Sequence, residues 1–212
     1  TSIGVEAFYN CTNLEEVTFA EGSQLETIGD AAFSGCKSLT SIKIPANVTS
    51  IGNYAFNNCT SLTSIGIPAS VTSIGRYAFH SCSGLQMVTF GEKSQLTAIG
   101  NYAFAACKLL DSINIPASVT SIGNYAFNNC TSLTSITIPA SVTSIRNSAF
   151  YNCISLTTVT FNGVSERLTI GDGAFESCVF LETVTFAGTS NDVPTIGASA
   201  FSDCASLATI NI

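Results

Sequence analysis

One pattern, Phe-x-x-Cys-x-x-Leu, recurs nine times along this chain of 212 residues and constrains its fold more than any other feature. The nine phenylalanines are 23 to 26 residues apart and are Phe8, Phe33, Phe56, Phe79, Phe104, Phe127, Phe150, Phe175 and Phe201. A period of this length is typical of solenoids, in which each repeat buries its apolar face only by stacking on its neighbours. We number the repeats as rungs 1 to 9, each containing one of these phenylalanines and the segment that follows it.

The cysteines predict a buried column of free thiols. All nine cysteines of the chain occupy the same position of the repeat, among apolar neighbours, where Cys behaves as a small hydrophobic residue. Their odd number and single repeat position argue against a disulfide framework. A metal site needs closely spaced ligands, whereas the nearest two cysteines are 23 residues apart and His80 is the single histidine. We therefore expect no metal and no other cofactor.

Each leucine of the pattern begins a segment in which apolar and polar residues alternate. In rung 6, Leu133, Ile136 and Ile138 are the inward-pointing residues of such a segment, which predicts a strand with one buried face. The nine predicted strands are 14–19, 39–44, 62–67, 85–90, 110–115, 133–138, 156–161, 181–186 and 207–212. They must run parallel, because more than a dozen residues connect each to the next. A proline follows four of them, where its missing N–H ends the hydrogen-bond ladder.

The return path between strands carries Ile-Gly-x-x-Ala-Phe-x-x-Cys. The glycines at 4, 29, 52, 75, 100, 123, 171 and 197 predict a turn that needs a positive φ. Arg146 takes this place in rung 7, so either the turn there tolerates a negative φ or the rung is locally altered. The spacing of Phe and Cys puts both side chains on one face of a short helical turn.

The charge balance excludes some partners. Fourteen acidic and seven basic residues give a net charge of -7, and the basic residues are scattered. Nucleic acid and anionic lipid both need clustered Lys or Arg, so neither is expected as a partner. No apolar run reaches the roughly 18 residues that a membrane span needs, so direct membrane insertion is not expected.

Residues 62–82 and 110–130 follow L-x-x-I-x-I-P-x-x-V-x-x-I-G-x-x-A-F-x-x-C almost letter for letter. In this pattern the whole chain resembles the BspA-like leucine-rich repeat of bacterial surface antigens. The resemblance implies a leucine-rich-repeat solenoid (α/β, mostly β): a right-handed curved superhelix with a parallel sheet on the concave face and short helical or irregular turns on the convex face. It also implies a surface-exposed or secreted protein, adhesion to host matrix proteins, host cells or other microbes, and no catalytic residues.

The domain organisation follows from the same repeats. We expect residues 1–212 to form a single leucine-rich-repeat domain of nine rungs. No signal peptide opens the chain, and both ends fall inside the repeat pattern, without the polar caps that usually terminate a solenoid. The expectation is therefore a fragment of a longer surface protein.

The concave face is the first candidate binding surface. Repeat geometry points the third and fifth residue of each strand toward it, and most of these residues are Ser or Thr. The residues predicted to contact a protein or glycan ligand are Lys43, Met87, Asn114, Thr137, Thr160 and Thr185. The alternative is purely structural, because Ser and Thr also suit strands and cross-strand hydrogen bonds.

Two further features leave binding and packing both open. Rungs whose strand ends in Phe, not in Ile-Pro, carry two or three extra residues. These inserts hold Glu21, Glu26, Glu92, Lys93, Glu166, Arg167 and Asp192. Such insertions are often on the binding face, but they can equally keep the edge soluble. The second feature is a column of tyrosines on four successive rungs, which serves either as a binding surface or as cover for the core. These tyrosines are Tyr54, Tyr77, Tyr102 and Tyr125.

Three functions remain, and none is catalytic. No set of acids, bases and nucleophiles converges: His80 stands alone, and no carboxylate pair recurs at one position. The leading hypothesis is a binding module for adhesion or protein–protein interaction. The second is a rigid spacer that presents another domain. The third starts from Thr-x-Thr pairs such as Thr158 and Thr160, which are similar to ice-binding ladders, but Lys43 and Met87 interrupt the plane that ice would need.

Overall fold

The computed structural model describes residues 1–163, 168–187 and 193–211 and shows a parallel β-solenoid. In those ranges the chain has eighteen short strands and no helix. The strands are β1 (Ser2–Ile3), β2 (Glu16–Val17), β3 (Thr27–Ile28), β4 (Ser41–Ile42), β5 (Ser50–Ile51), β6 (Ser64–Ile67), β7 (Ser73–Ile74), β8 (Met87–Phe90), β9 (Ala98–Ile99), β10 (Ser112–Ile113), β11 (Ser121–Ile122), β12 (Ser135–Ile138), β13 (Ser144–Ile145), β14 (Thr158–Phe161), β15 (Thr169–Ile170), β16 (Thr183–Phe186), β17 (Thr195–Ile196) and β18 (Thr209–Asn211). Of the predicted insert charges, Glu166, Arg167 and Asp192 lie outside the described residues, as does Ile212.

The even-numbered strands are the ones that the leucine pattern predicts, and they run parallel as expected. They form three sheets, ordered β2-β4, β10-β8-β6 and β12-β14-β16-β18. Single bridges between Lys43 and Gly66 and between Asn114 and Thr137 connect these sheets into one surface. We call the outward side chains of the third and fifth strand positions the long-strand face.

A second sheet was not predicted. The odd-numbered strands form one nine-stranded parallel sheet in the order β1-β3-β5-β7-β9-β11-β13-β15-β17. Each of its strands is the two-residue segment that ends in the isoleucine preceding the Gly position, and successive isoleucines pair in register, as Ile51 does with Ile74. Each rung therefore contributes an even-numbered strand to one parallel surface and an odd-numbered strand to a second parallel sheet.

The glycines of the Ile-Gly-x-x-Ala-Phe-x-x-Cys pattern were predicted to have a positive φ, and this prediction is wrong. None of these glycines has a positive φ in the described residues. From rung 2 onward these glycines let the backbones of successive rungs approach each other closely. A Cβ on Gly100, for example, would lie 2.5 Å from the carbonyl oxygen of Ile74 in the preceding rung. Arg146 lacks a positive φ as well, and its rung keeps the regular pairing of β13 with β11 and β15. The turn of rung 7 therefore tolerates Arg without local rearrangement.

Residues with a positive φ lie at other positions of each turn. The turns themselves are irregular and not helical. One positive-φ residue lies two positions after the glycine and another directly before the cysteine, as Tyr54 (φ 56°) and Asn58 (φ 57°) do in rung 3. Their N–H groups donate to the next rung, from Tyr54 to the carbonyl of Arg76 and from Asn58 to that of His80, at 2.8 and 2.9 Å. These bonds to the next rung hold non-glycine residues in a conformation that they rarely adopt.

Two continuous side-chain columns fill the core. The nine phenylalanine rings of the pattern stack at 5.0 to 5.5 Å between centroids, with interplanar angles of 9° or less. Beside them, every cysteine from rung 2 to rung 9 donates its S–H to the phenylalanine carbonyl of the preceding rung, as Cys82 does to Phe56 at 3.1 Å. All nine thiols are free. Across the described ranges, the chain has no helix with the length and apolarity that crossing a membrane requires.

Candidate functional site

The long-strand face brings four of the six predicted contact residues into one row. Asn114 bridges Thr137, which pairs with Thr160, which in turn pairs with Thr185. Asn114 and Thr137 are exposed, and Thr160 and Thr185 are half-buried. The row therefore presents an amide and three hydroxyl groups on neighbouring strands, without a charge.

The other two predicted residues lie apart from this row. Lys43 is exposed in rung 2, beside Gly66. Met87 lies at the third position of β8, between Ser64 and Ser112, and more than half of it (55%) is exposed. An exposed Met among hydroxyl groups gives the face one apolar contact point close to rung 5.

A groove opens between rungs 4 and 5, where β8 and β10 separate. Met87 and Val88 pair with Ser112 and Ile113, but the strands diverge beyond Val88. The groove has a volume of about 470 Å³. Its lining residues are Val88, Thr89, Phe90, Gly91, Lys93, Ser94, Asn114, Ile115, Pro116, Ala117 and Ser118. It thus joins two features that the sequence singled out separately, the long-strand face at Asn114 and the insert at Lys93.

Proline explains why the strands separate at this point. Between rungs 3 and 4, the N–H of Gly91 follows the strand and donates to the carbonyl of Ile67 at 2.9 Å. Pro116 takes the equivalent position in rung 5 and has no N–H to donate to the carbonyl of Phe90. The missing bond leaves the groove lined on one side by a strand end and on the other by a proline turn.

Ser118 was not predicted from the sequence, yet it provides the most unusual group in the groove. Its Oγ is buried and has no hydrogen-bond partner among the described residues. The serines at the same repeat position in rungs 3 and 6 do have partners: Ser70 donates to the carbonyl of Val48 and Ser141 to that of Val119, at 2.5 and 2.7 Å. A buried hydroxyl without a partner costs about 1 to 3 kcal/mol, and this oxygen is enclosed by protein atoms, so only the rest of the serine lines the groove.

Within the described ranges, the insert charges form neither a metal site nor an ion-pair network with this groove. Glu21, Glu26, Glu92 and Lys93 are all exposed. Glu26 lies 3.0 Å from the chain's N-terminal nitrogen, in an exposed ion pair. In the part of the chain that the structure describes, no three His, Cys, Asp or Glu side chains are arranged to hold a metal ion.

The tyrosine column is a stack of rings. Tyr54, Tyr77, Tyr102 and Tyr125 stack at 4.4 to 4.8 Å between centroids, and Arg76 lies 4.8 Å from the centre of the Tyr77 ring. Because the rings cover each other, only edges and hydroxyl groups remain for a partner along most of the column. Packing therefore accounts for much of this column, while Tyr54 stays 39% exposed.

Next to the tyrosines, the structure shows a ladder that sequence reasoning missed. The residue after the glycine accepts a backbone N–H from the next rung: Asp30 Oδ1 from Asn53, and Asn53 Oδ1 from Arg76, at 2.7 and 2.8 Å. The recurrence of Asn or Asp at this position was the available signal. These hydrogen bonds order the turns and do not provide a reactive group.

The titratable groups of the core are suited to structure and not to catalysis. The Nδ1–H of half-buried His80 donates to Asn57 Oδ1 at 3.0 Å. The ring packs edge-on against Tyr77, and burial lowers its pKa. Burial raises the pKa of Cys36 to about 11 and that of Cys82 and Cys130 to about 12. Such thiols stay protonated and unreactive at neutral pH.

The comparisons with known proteins agree with this geometry. A leucine-rich repeat protein from T. pallidum (TpLRR) is 27% identical with a TM-score of 0.73, and the match covers 86% of this chain and 82% of that one. A leucine-rich repeat protein from Bacteroides ovatus is also 27% identical, with a TM-score of 0.58, over 100% of this chain and 70% of that one. No curated protein sequence matches the chain.

The sequence match extends over the full length. The model of the BspA type leucine-rich repeat region matches residues 1–109 and 97–212, which together span all nine rungs. The repeated Phe, Cys and Leu positions that carry this match are the ones that form the stacked core. The chain therefore belongs to the family of BspA-type leucine-rich repeat proteins.

Proposed function

We propose that this chain is a non-catalytic binding module, on a cell surface or secreted, that mediates adhesion or protein–protein interaction. Its ligand is a protein or a glycan of a host or microbial surface. Residues 1–212 act as one leucine-rich-repeat domain in this proposal. Membership of a family of repeat scaffolds supports a binding role over an enzymatic one.

The observation that carries the proposal is the continuity of the long-strand face with the groove. The row from Asn114 to Thr185 offers hydrogen-bonding groups without charge, and it ends at a cleft beside exposed Met87. Ligand sites typically combine a concave, partly apolar surface with a few placed polar groups. This region is the part of the described surface that combines both.

The rigid spacer is the second candidate, and the core favours it as well. One uninterrupted stack of phenylalanine rings and one nine-stranded sheet run along all the rungs, which makes a stiff rod. A spacer needs no particular side chain on the long-strand face. The two functions therefore differ in what surface substitutions do.

Capture of the soluble protein on immobilised matrix proteins, host cells and microbial cells tests the proposal. Asn114→Arg and Thr160→Arg should each lower saturable capture at least tenfold, because a long cation obstructs the face. The matched control Ser73→Arg places the same residue at an exposed position of the nine-stranded sheet and should leave capture unchanged. Equal capture of all variants would refute a site on this face.

The spacer predicts the opposite pattern. Removing residues 48–118 deletes one 71-residue unit of three rungs, including the groove, and leaves the remaining rungs in register. A spacer would keep its attachment and only shorten. A binding module would lose capture with this deletion, so the two functions separate in one experiment.

A further inference from the structure

The groove between rungs 4 and 5 has a counterpart between rungs 1 and 2. The two junctions differ at four lining positions, where Gly91, Lys93, Asn114 and Ser118 of the groove replace Ala20, Gly22, Lys43 and Asn47. The inserts of rungs 1 and 4 share a Ser-Gln pair, Ser23-Gln24 in one and Ser94-Gln95 in the other. The loops have the same geometry: the N–H of Leu25 donates to Ser23 Oγ at 3.4 Å, and that of Leu96 to Ser94 Oγ at 3.3 Å. The proline turns that face them match as well.

An asparagine amide occupies the space in the first of these junctions. Asn47 reaches back from rung 2, and its Nδ2 donates to the carbonyl of Ser23 at 3.2 Å and to Gln24 Oε1 at 3.4 Å. Ser118 stands at the same position of rung 5, after the same turn: the N–H of Val119 donates to the Pro116 carbonyl at 3.0 Å, as that of Val48 does to Pro45 at 3.1 Å. The serine side chain carries no amide, and its Oγ is the orphaned group described above.

We propose that the groove between rungs 4 and 5 binds the acetamido group of an N-acetylated sugar, which takes the place that the Asn47 amide takes in rung 2. The amide N–H of the sugar donates to the Ser94 carbonyl, and its carbonyl oxygen accepts from the side-chain amide of Asn114, an exposed residue of the groove lining. The acetamido methyl contacts the apolar wall of Val88, Ile115 and Ala117. This inference rests on the proposed binding function and names the class of ligand.

The size and lining of the groove favour a sugar over a peptide. A volume of about 470 Å³ exceeds what a single carboxamide fills and falls in the range of small-ligand sites. An extended peptide would add to a free strand edge, but β8 pairs with β6 along its whole length and with β10 at Met87 and Val88, which leaves only Thr89 and Phe90 free on the groove side. Thr89 and Asn114 at the rim can instead serve the hydroxyl groups of a pyranose ring.

Charge refines the class of sugar. Lys93 is the charged side chain among the lining residues. A neutral N-acetylated sugar tolerates this cation, whereas the free ammonium group of the corresponding amino sugar is repelled by it and cannot supply a carbonyl oxygen to Asn114. The groove should therefore separate N-acetylglucosamine from both glucosamine and glucose.

The test is a titration of the full chain with N-acetylglucosamine, glucosamine and glucose, followed by backbone amide NMR shifts. The expected result is saturation by N-acetylglucosamine with a Kd of roughly 1–10 mM, shifts centred on Ser94, Asn114 and Ser118, and at least tenfold weaker binding of the other two sugars. Absence of saturation, or equal binding of all three, would overturn the proposal. Tighter binding of an asparagine-containing tripeptide at the same signals would overturn it too.

Two substitutions exchange the residues of the two junctions. Ser118→Asn should fill the groove, weaken sugar binding at least tenfold and leave the thermal midpoint no lower, because rung 2 carries Asn at this position naturally. Asn47→Ser should open the first junction and raise the ratio of bound sugars per chain from one to two. Unchanged binding in the first variant, or an unchanged ratio in the second, would show that this position does not govern the site.

The outcome is separable from that of the proposed function. If the chain is captured on cells or matrix proteins but ignores N-acetylglucosamine, only the sugar assignment fails. If it binds the sugar in the groove but no cell or protein surface captures it, the sugar site stands and the adhesive role fails. Ser73→Asn, at an exposed position of another sheet, is the matched control for both measurements.

Discussion

The thiol column predicts an unusual loss of stability in mild alkali. Six buried cysteines have a pKa raised above its ordinary value, first of all by burial: Cys36, Cys59, Cys82, Cys107, Cys130 and Cys153. In the folded chain these thiols stay protonated at pH 9.5, whereas in the unfolded chain they ionise with an ordinary pKa of about 8.5. The unfolded state therefore releases protons that the folded state keeps, and stability must fall as the pH rises.

The magnitude follows from the number of thiols. The stabilisation is present below pH 8, and by pH 9.5, one pH unit above the ordinary thiol pKa, each thiol has lost about 1 to 1.5 kcal/mol of it. Six thiols together give a loss of about 8 kcal/mol, a large part of the 5 to 15 kcal/mol that usually holds a domain folded. With an m-value near 3 kcal/mol per molar urea, the urea midpoint should fall by about 3 M between pH 7.5 and pH 9.5.

Urea unfolding at both pH values, with a reductant present, measures this shift. The variant Cys82→Ser/Cys130→Ser is the control, because serine hydroxyls can still donate to the carbonyls of Phe56 and Phe104 but do not ionise. Its loss of stability between the two pH values should shrink to about 5 kcal/mol, because four of the six thiols remain. If the midpoint of the parent chain is the same at pH 7.5 and pH 9.5, the thiols are not held protonated in a dry core and the reasoning is refuted.

Three further predictions concern the turns and the core. Gly100→Ala should cost about 2 kcal/mol and lower the thermal midpoint by roughly 4–8 °C, because its Cβ would lie 2.5 Å from a backbone oxygen of the preceding rung, while Gly66→Ala, whose nearest contact is 3.5 Å away, should not lower it. Tyr102→Ala removes ring stacks at 4.4 and 4.7 Å and should cost about 2 kcal/mol by chemical denaturation, whereas Tyr9→Ala, at an exposed ring, should be near neutral; equal effects would contradict the stacking argument. A thiol reagent in native buffer should modify exposed Cys11 at once and the seven buried cysteines far more slowly, and rapid modification of all nine would contradict the packed core.

The apolar columns and the parallel long strands could be predicted because they depend on residue type at a fixed spacing. Phe127, Cys130 and Leu133 are fully buried, as the period of the pattern requires. The second sheet escaped prediction because each of its strands has only two residues, too few to show an alternation. Periodicity in the sequence indicates columns and long strands, but a two-residue strand that pairs with the neighbouring rungs leaves no periodic signal.

The glycine and turn predictions failed for a related reason. Gly100 has to be small because of a neighbour one rung away, while its own φ is ordinary. The left-handed positions are instead filled by residues such as Tyr77 and Ala106, whose type gives no hint of a positive φ. A usable signal came from Asn, Asp and Gly directly before the cysteine, as at Asn58, Asp203 and Gly35, because these residues adopt a positive φ more readily. Backbone conformation here is imposed by stacking and not chosen by the local sequence.

The groove shows why a nearly perfect repeat can carry a specific site. Its position is set by the alternation of strands that end in Phe with strands that end in Ile-Pro, since a proline that follows a Phe-ended rung cannot continue the ladder. This junction recurs with the 71-residue unit, at rungs 1 and 2 and again at rungs 4 and 5. Asn47 reaches across the first junction, whereas the shorter Ser118 stands at the same position of the second. Duplication of the unit can thus extend the scaffold while the residues that line each new junction remain free to change.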